Sequence, residues 1–248
     1  MANIALITGA NTGIGLQIAK DLSAKGITVL IGSRGLENGK KAAAQIGAHA
    51  HAIQLDVTDQ ASIAAAAARI EKEFSHLDIL VNNAGISKVG KVEGSLEDMM
   101  RKGKFTTASM DDIRTIYETN VFGVIAVTQA MLPLLRKSKS ARIVNVSSGV
   151  GSLTRTMAPD NERLRAIFGI YSASKTALNA VTLGFALDLE KEGIKVNAAC
   201  PGFTKTALNN FLGTRTVEEG AREPVRLALL GDDGPTGTYS NDEGPLPW

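Results

Sequence analysis

Cysteine is nearly absent from the sequence. Its one cysteine, Cys200, is the last residue of a predicted buried strand and has no partner for an internal disulfide. Free cysteine is among the residues most often buried in protein interiors, so we interpret Cys200 as an inert core thiol. A chain without disulfides is typical of reducing compartments, and we therefore expect a cytoplasmic location.

Long apolar runs and a strong charge of either sign are also absent. No apolar run approaches the roughly 18–20 residues of a membrane-spanning helix, and residues 1–3 lead into an apolar segment without the basic region of a signal peptide. The net charge is only +2, which gives no reason to expect a nucleic-acid or membrane partner. His49, His51 and His76 lack metal-ligand spacing, so no metal site is expected.

The 248 residues contain no linker rich in Pro, Gly or Ser, so we predict one domain over residues 1–248. Short β-branched runs alternate with segments in which apolar residues recur at helical spacing. This alternation predicts a doubly wound, Rossmann-type α/β fold, with a seven-stranded, mainly parallel sheet and helices on both faces. The predicted strands are residues 4–8, 28–32, 51–55, 78–82, 142–147, 195–200 and 237–240.

Three irregular stretches, residues 87–110, 153–169 and 203–221, interrupt the alternation. Each follows a strand, and ligands of such sheets bind beyond the carboxyl ends of the strands. We therefore predict a cofactor-binding half of about residues 1–145 and a catalytic and substrate-lid part of about residues 146–248. The third stretch mixes apolar residues with Thr and Gly, which predicts a mobile lid; the alternative is a fixed surface helix. Met157 and Phe168 would form the opposite wall.

A glycine-rich turn, TGANTGIG at residues 8–15, follows the first strand. Glycines there permit a tight turn and bring the backbone close to a pyrophosphate, whose charge faces the helix N-terminus. The second strand ends at Ser33 and Arg34, where an NAD-binding fold commonly has an acid for the ribose 2′-hydroxyl. Because Arg34 can bond a 2′-phosphate, we expect NADP(H) rather than NAD(H). The alternative is that Arg34 is a solvated loop residue.

Polar side chains suited to acid–base chemistry follow other strands. Tyr171 and Lys175 lie four residues apart, on one face of a predicted helix. A tyrosine with an ordinary pKa of ~10 is a poor catalyst at neutral pH, and a nearby ammonium stabilises its phenolate. Two serines, at 147 and 148, end the fifth strand, and the sequence NNAG ends the fourth at residues 82–85, with Asn120 in a helical segment between them.

In this order the motifs resemble the short-chain dehydrogenase/reductase family over nearly the whole chain. The carbonyl-reductase-like branch is the most similar, because of GSR at 32–34, the long interval from Ser148 to Tyr171, and GPLPW at 244–248. The resemblance implies that Tyr171 donates the proton during reduction and is the base during oxidation. It implies that Lys175 holds the nicotinamide ribose and lowers the tyrosine pKa, that Ser148 polarises the carbonyl, and that Asn120 supports a water-linked proton path.

The resemblance also implies cofactor contacts. It places Asp56 and Val57 at the adenine, Asn83 beside the adenosine ribose, and Thr204 or Thr206 near the carboxamide; Asp56 could instead cap the helix after Thr58. Thr12 stands where some NADP-using relatives have a second basic residue. The full set of implied cofactor contacts is Gly9, Asn11, Thr12, Gly13, Ile14, Gly15, Ser33, Arg34, Asp56, Val57, Asn83, Ala84, Gly85, Tyr171, Lys175, Pro201, Gly202, Thr204 and Thr206.

The expected activity is the reversible, NADP(H)-dependent reduction of ketones or aldehydes to alcohols, on a small-molecule substrate. Alternatives on the same scaffold are a 3-oxoacyl carrier-protein reductase, for which the basic cluster at residues 101–104 could dock the carrier, and a sugar or steroid dehydrogenase. A non-catalytic dinucleotide-sensing regulator would not need all four catalytic side chains. We expect a homo-oligomer, because one helix carries more apolar surface than one sheet contact needs, at Leu178, Val181, Phe185 and Leu189.

Overall fold

The computed structural model describes residues 3–88 and 103–248. Eight strands form one sheet in the order β3-β2-β1-β4-β5-β6-β7-β8, and every neighbouring pair is parallel except β7 with β8. The predicted doubly wound α/β fold is confirmed. The strands are β1 Ile4–Ile7, β2 Thr28–Ser33, β3 Ala50–Gln54, β4 Ile79–Asn82, β5 Arg142–Val146, β6 Lys195–Ala199, β7 Tyr239–Asn241 and β8 Gly244–Pro245.

The sheet has one strand more than the seven predicted. The extra strand β8 exists because the side-chain oxygen of Asn241 accepts hydrogen bonds from the N–H groups of Glu243 and Gly244, both 3.1 Å long. That short turn reverses the chain, so Gly244 and Pro245 pair with the end of β7. Two-residue strands have no apolar periodicity that a sequence pattern can reveal.

Helices cover both faces of the sheet. They are α1 Gly13–Ser23, α2 Leu36–Ile46, α3 Gln60–Phe74, α4 Met110–Tyr117, α5 Gly123–Leu135, α6 Leu153–Met157, α7 Glu162–Ile167, α8 Ile170–Asp188 and α9 Val217–Ala228. Neighbouring strand residues point to opposite faces: Leu6 packs in the cluster under α3, α5 and α8, and Ile7 packs in the cluster under α1 and α9. Strand order reverses at β1, which lies between β2 and β4, and such a reversal opens a ligand crevice.

A turn of π-helix, Glu118–Phe122, joins α4 to α5. The combined stretch Met110–Leu135 is long enough to span a membrane, and its most apolar window of 18 residues has a mean hydropathy of 1.3. By length and composition it is therefore a candidate span, which the expectation of no apolar run of that length did not foresee. Half of its most apolar window is buried. Met131 and Leu134 pack in the core beneath the sheet, as the residues of a core helix do.

The three irregular stretches have different structures. Residues 89–102, and with them part of the basic cluster, lie outside the described residues. Residues 153–169 contain α6 and α7, and the Ser152 hydroxyl caps α6 by accepting from the N–H of Arg155. Residues 203–216 form a loop closed by a parallel bridge between Thr204 and Arg215, whereas residues 217–221 belong to α9, so the predicted lid extends too far.

The apolar stripe from which we expected an oligomer lies on α8, and part of it packs inside the fold. Leu178 and Leu189 of this stripe are buried in the core, and Phe185 packs against the same cluster. Leu178 and Leu189 therefore offer no surface for an oligomer, whereas Val181 and Phe185 are half-buried. The homo-oligomer stays a prediction. The large apolar side chains of α8 that are exposed are those of Leu183 and Leu187.

Candidate active site

The catalytic side chains predicted from the sequence meet at the carboxyl edge of β4 and β5. Two serines end β5, and the structure separates them. Ser147 is buried and donates to the side-chain oxygen of Asn179, 2.5 Å away. Ser148 lies close enough to Tyr171 to interact with the phenol, and this interaction lowers the pKa of the phenol. The geometry therefore selects Ser148 as the serine of the cluster.

Tyr171 and Lys175 share one face of α8. The Lys175 ammonium lies 5.9 Å from the centroid of the Tyr171 ring and donates to the carbonyl of Val146, 2.8 Å away. Burial lowers the pKa of Lys175 to about 8. Burial raises the pKa of Tyr171 to about 12, and the interaction with Ser148 opposes that rise. The phenol is therefore protonated at neutral pH, and the ammonium keeps donors for further partners.

Asn120 lies in the π-helical turn and is completely buried. Its side-chain oxygen accepts from the N–H of Ile86 at 2.9 Å, and its amide nitrogen donates to the Ile86 carbonyl at 2.8 Å and to Ser174 at 3.0 Å. Asn120 thus connects the segment after β4 to α8. A single turn of π-helix inside an α-helix frequently marks a functional position, and sequence periodicity gave no sign of this one.

The glycine turn after β1 fits a pyrophosphate. Gly9 and Gly13 have φ values of 62° and 57°, which favour glycine. A Cβ on Gly15 would lie 2.4 Å from the amide nitrogen of Asn83. Thr12 precedes α1 without capping it by a side-chain hydrogen bond, so the first N–H groups of the helix are left for another acceptor. Such a helix start holds phosphate oxygens.

Asn83 and Ala84 build this turn from the side of β4. The amide nitrogen of Asn83 donates to the carbonyls of Thr8 and Gly9. The Thr8 hydroxyl accepts from the N–H groups of Asn83 and Ala84. Gly85, the next residue, approaches the catalytic cluster, since a Cβ there would lie 3.3 Å from the Asn120 oxygen and 3.6 Å from the Lys175 nitrogen. The NNAG sequence therefore joins the phosphate turn to the catalytic cluster.

The residues expected at the adenosine end surround the ends of β2 and β3. Ser33 is buried and donates to the Gly35 carbonyl at 3.1 Å. Arg34 is exposed and forms no ion pair or hydrogen bond with the part of the chain that the structure describes. Asp56 accepts from the backbone and hydroxyl of Thr58, so it folds a turn, while Asp59 caps α3.

Two threonines were candidates for the carboxamide end, and the structure places them differently. Thr204 is buried and donates to the Pro201 carbonyl at 3.0 Å, beneath Gly220, where a Cβ would come within 2.5 Å of its hydroxyl. Thr206 lies at the glycine turn, with its methyl carbon 3.5 Å from the position of a Cβ on Gly13. Thr206 is therefore the threonine that borders the crevice, and Thr204 supports the loop from below.

The loop of residues 203–216, the lid loop, touches both sides of the crevice. Ser87, which follows β4, donates to the carbonyl of Leu208 at 2.7 Å. On the other side the Arg163 guanidinium of α7 lies 5.7 Å from the centroid of the Phe203 ring. The inserted segment and the lid loop therefore meet above the site.

Large apolar side chains of these two segments face solvent. Met157 is 69% exposed and Phe211 is 62% exposed, whereas Phe168 is half-buried. An apolar face packed on the domain would not leave such side chains outside, so the exposure counts against the fixed surface helix. The exposed apolar residues around the site are Leu153, Met157, Phe203, Phe211 and Leu212.

The described residues, 3–88 and 103–248, contain no group of three or more His, Cys, Asp and Glu side chains that could hold a metal ion. The doubly wound sheet, the glycine turn after β1 and the Ser–Tyr–Lys cluster instead define the class of dinucleotide-dependent oxidoreductases. A family model described as short chain dehydrogenase matches residues 3–216. The chain belongs to the short-chain dehydrogenase/reductase family.

Curated relatives cover nearly the whole chain. The short-chain dehydrogenase anuI of Penicillium roqueforti is 38% identical over 237 residues, which span 92% of this chain and 89% of that protein. The (-)-isopiperitenone reductase of Mentha piperita is 35% identical over 299 residues, 95% of each chain.

Solved structures with the same fold include salutaridine reductase from Papaver somniferum, 32% identical, with a TM-score of 0.80 and 97% and 99% of the two chains covered. The NADPH-bound carbonyl reductase from chicken fatty liver is 27% identical, with a TM-score of 0.81 and coverage of 100% and 99%. The 3-ketoacyl-(acyl-carrier-protein) reductase from Brucella melitensis, complexed with NADH, is 26% identical, with a TM-score of 0.80 and coverage of 97% and 96%.

Proposed function

We propose that the protein is an NADP(H)-dependent reductase that converts a ketone or aldehyde group of a small apolar molecule reversibly into an alcohol. The observation that carries the proposal is the cluster in which Ser148 and Lys175 both approach Tyr171. A phenol between a hydroxyl and an ammonium is suited to exchanging a proton with a carbonyl oxygen.

The bound nicotinamide dinucleotide would supply or accept the hydride. Tyr171 would supply the proton, because burial holds its pKa at about 12 and the phenol is protonated at neutral pH. Ser148 would hold the same carbonyl oxygen. The Lys175 ammonium would stabilise the phenolate that remains and hold the nicotinamide ribose. Asn120 would support the water-linked proton path and keep α8 in register with the segment after β4.

The preference for NADP(H) is proposed from the end of β2. Ser33 replaces the acid that would repel a 2′-phosphate, and the Arg34 guanidinium is exposed and available. The chicken carbonyl reductase binds NADPH and the Brucella reductase binds NADH, so relatives with the same fold use either cofactor.

The substrate class is proposed from the exposed apolar side chains of the inserted segment and the lid loop. Leu153, Met157 and Phe211 are each at least half exposed, and apolar surface of this kind suits a bulky apolar ligand. Two relatives, the (-)-isopiperitenone and salutaridine reductases, are each named for one small molecule, which is consistent with a small-molecule substrate. We therefore propose a bulky apolar ketone.

A carrier-protein substrate has less support. Of the basic cluster at residues 101–104, only the last two residues are described, and the ammonium of Lys104 bonds the carbonyls of Ala166 and Phe168. It is therefore engaged in the fold and is not available for docking. The fold shared with the Brucella reductase keeps this activity as the second candidate, and a sugar or steroid dehydrogenase remains an outcome of the substrate test.

The test measures oxidation of NADPH and of NADH with bulky apolar ketones, small ketones, sugars and an acetoacetyl thioester. We expect NADPH and a bulky apolar ketone to give the highest kcat/KM. Tyr171→Phe should lower kcat by ~10²–10⁴-fold, the usual contribution of general acid–base catalysis, while NADPH binding followed by fluorescence is retained. Equal turnover in Tyr171→Phe, or no turnover with any carbonyl compound, would contradict the proposal and favour a dinucleotide-binding regulator.

We also propose a homo-oligomer and a cytoplasmic location. The face that would associate contains Leu183 and Leu187 of α8 and Phe122 of the π-helical turn, all exposed. Sedimentation at micromolar concentration should give at least twice the 26.0 kDa of one chain, and Leu187→Glu should reduce it to one chain. A wild-type species of 26.0 kDa would contradict the oligomer. Cell fractionation tests the location.

A further inference from the structure

The loop that carries Ser148 leaves the sheet one residue before the serine. Its last backbone bond to the neighbouring strand runs from the N–H of Ser147 to the carbonyl of Ala199, 2.8 Å away. The next residues form a short 3-10 turn, Gly149–Gly151, in which two glycines leave the backbone conformationally free. The position of the Ser148 hydroxyl therefore depends on contacts outside the ladder of the sheet.

Tyr239, on β7, makes such a contact. Its hydroxyl donates to the carbonyl of Ser148, 2.7 Å away, and the same carbonyl accepts from the N–H of Gly151. Tyr239 is only 2% exposed, and burial raises its pKa above the ordinary value, so the hydroxyl remains a donor. Cys200 and Leu246 pack beside it, which leaves the ring little room to move.

Trp248 holds Tyr239 from the other side. The two rings are stacked, with centroids 5.4 Å apart and planes at 25°. The segment after β8 reaches this position because the Ser152 hydroxyl donates to the carbonyl of Pro247 at 2.7 Å and the N–H of Thr154 donates to that of Trp248 at 3.1 Å. The segment thus joins the sheet edge to the start of α6.

We propose that Tyr239 and Trp248 are positioning residues of the active site, which act by fixing the backbone of Ser148 and so the hydroxyl that faces Tyr171. The inference rests on the proposed reductase activity. Neither residue lies at the glycine turn, so they act on the chemical step and not on cofactor binding. The proposal also explains what the GPLPW sequence at residues 244–248 does: it places Trp248 against Tyr239.

The decisive experiment is a double-mutant cycle between Tyr239→Phe and Ser148→Ala. Tyr239→Phe keeps the stacked ring and removes one hydrogen bond, so we expect kcat to fall about three- to tenfold, with KM for NADPH unchanged. In the Ser148→Ala background, Tyr239→Phe should cause no further loss. An equal loss in both backgrounds, or no loss in the wild-type background, would overturn the inference.

Ser240→Ala is the matched control. Ser240 follows Tyr239 on β7, is also buried, and bonds Glu223 on the other face of the sheet. It should lower thermal stability without lowering kcat. Trp248→Ala should reproduce part of the Tyr239→Phe loss, and Trp248→Phe should restore turnover because a ring again stacks on Tyr239. A kcat loss in Ser240→Ala equal to that in Tyr239→Phe would indicate a general structural effect.

Hydrogen exchange tests the contact without turnover. In Tyr239→Phe, the peptide covering residues 147–152 should exchange faster than in the wild type, and in Ser240→Ala it should not. If the wild type reduces no carbonyl compound, the proposed function fails, and this measurement still decides whether Tyr239 holds the serine loop. Unchanged exchange in Tyr239→Phe would exclude that role.

Discussion

The catalytic cluster and the substrate walls lie next to each other and are built in opposite ways. In the cluster, Asn120 is completely buried, Lys175 is 4% exposed, and each bonds backbone groups of neighbouring elements. In the walls, Met157 and Phe211 are more than 60% exposed, and the helices of the inserted segment are five and six residues long. Rigid groups suit the reaction, because donors that are already oriented need no reorganisation. Short exposed segments suit substrate selectivity, because their sequence can vary with little effect on the stability of the fold.

The catalytic cluster rests on a network of buried polar side chains. Beneath the cluster, the amide of Asn82 donates to Asn145 and to Thr128 of α5, and the amide of Asn145 donates to Thr182 of α8. Buried polar networks of this kind are costly unless every member is bonded, and when satisfied they favour one arrangement. The network therefore keeps β4, β5 and the helices of the cluster in fixed relation, whatever the walls do.

Replacing Lys175 should have the largest effect and would sharpen the contrast most. Lys175→Met removes the ammonium over the Tyr171 ring, so we expect kcat to fall ~10²–10⁴-fold, the size of a lost acid–base contribution. Thermal stability should not fall with it. The folded-state pKa of about 8 lies below the ordinary 10.5, so the buried ammonium destabilises the fold fully below pH 8, and that penalty disappears as pH rises to about 10.5.

The pH dependence gives a second measurement on the same residue. In the wild type, kcat/KM for reduction should fall as pH rises through about 8, because Lys175 loses its proton there. The Lys175→Met variant should lack this limb. If Lys175→Met kept wild-type turnover, or if its kcat/KM still fell as pH rises through about 8, Lys175 would not be needed for the reaction.

The second largest effect is expected at Arg34. Its side chain is exposed, as those of the substrate walls are, but we expect its loss to weaken NADPH binding. Arg34→Ala should raise KM for NADPH and spare NADH, with a penalty of ~1.5–3 kcal/mol, the size of a hydrogen bond to a charged group. Lys40→Ala is the control on α2, because Lys40 already pairs with Glu37 at 2.7 Å. Equal effects of Arg34→Ala on both cofactors would show that it does not discriminate between them.

The smallest effect is expected in the walls. Phe211→Ala or Leu208→Ala should change the relative kcat/KM of bulky and small ketones about three- to tenfold, within the usual range for contacts of an apolar pocket, and leave NADPH affinity unchanged. Leu229→Ala, at an exposed apolar position just after α9, is the control. Lid residues should also exchange amide hydrogens faster without cofactor than with it. Loss of thermal stability with an unchanged ketone ranking would favour the packing explanation.

Much of this organisation could be predicted from local pattern. The alternation of β-branched runs with helical spacing was sufficient for the doubly wound sheet, and the glycine turn and the Tyr171–Lys175 spacing indicated where the phosphate turn and the catalytic helix begin. These features depend on residues within one turn or one strand of each other, whose geometry is set by local periodicity. Exposure of the wall residues was not predictable in this way, because apolar composition alone does not say which face is covered.

By itself the sequence determined the fold class and the helix that carries Tyr171 and Lys175. It also determined that Ser33 stands at the end of β2, where an NAD-binding fold commonly has an acid. Only the tertiary structure decided that Thr206 and not Thr204 borders the crevice, and that Tyr239 supports Ser148 from 91 residues away. It alone also supplied geometric grounds for choosing Ser148 over Ser147. Adjacent residues of an extended chain point to opposite sides, so which one reaches the site depends on the packing of distant elements. Such contacts form only when those elements meet, and no local spacing encodes them.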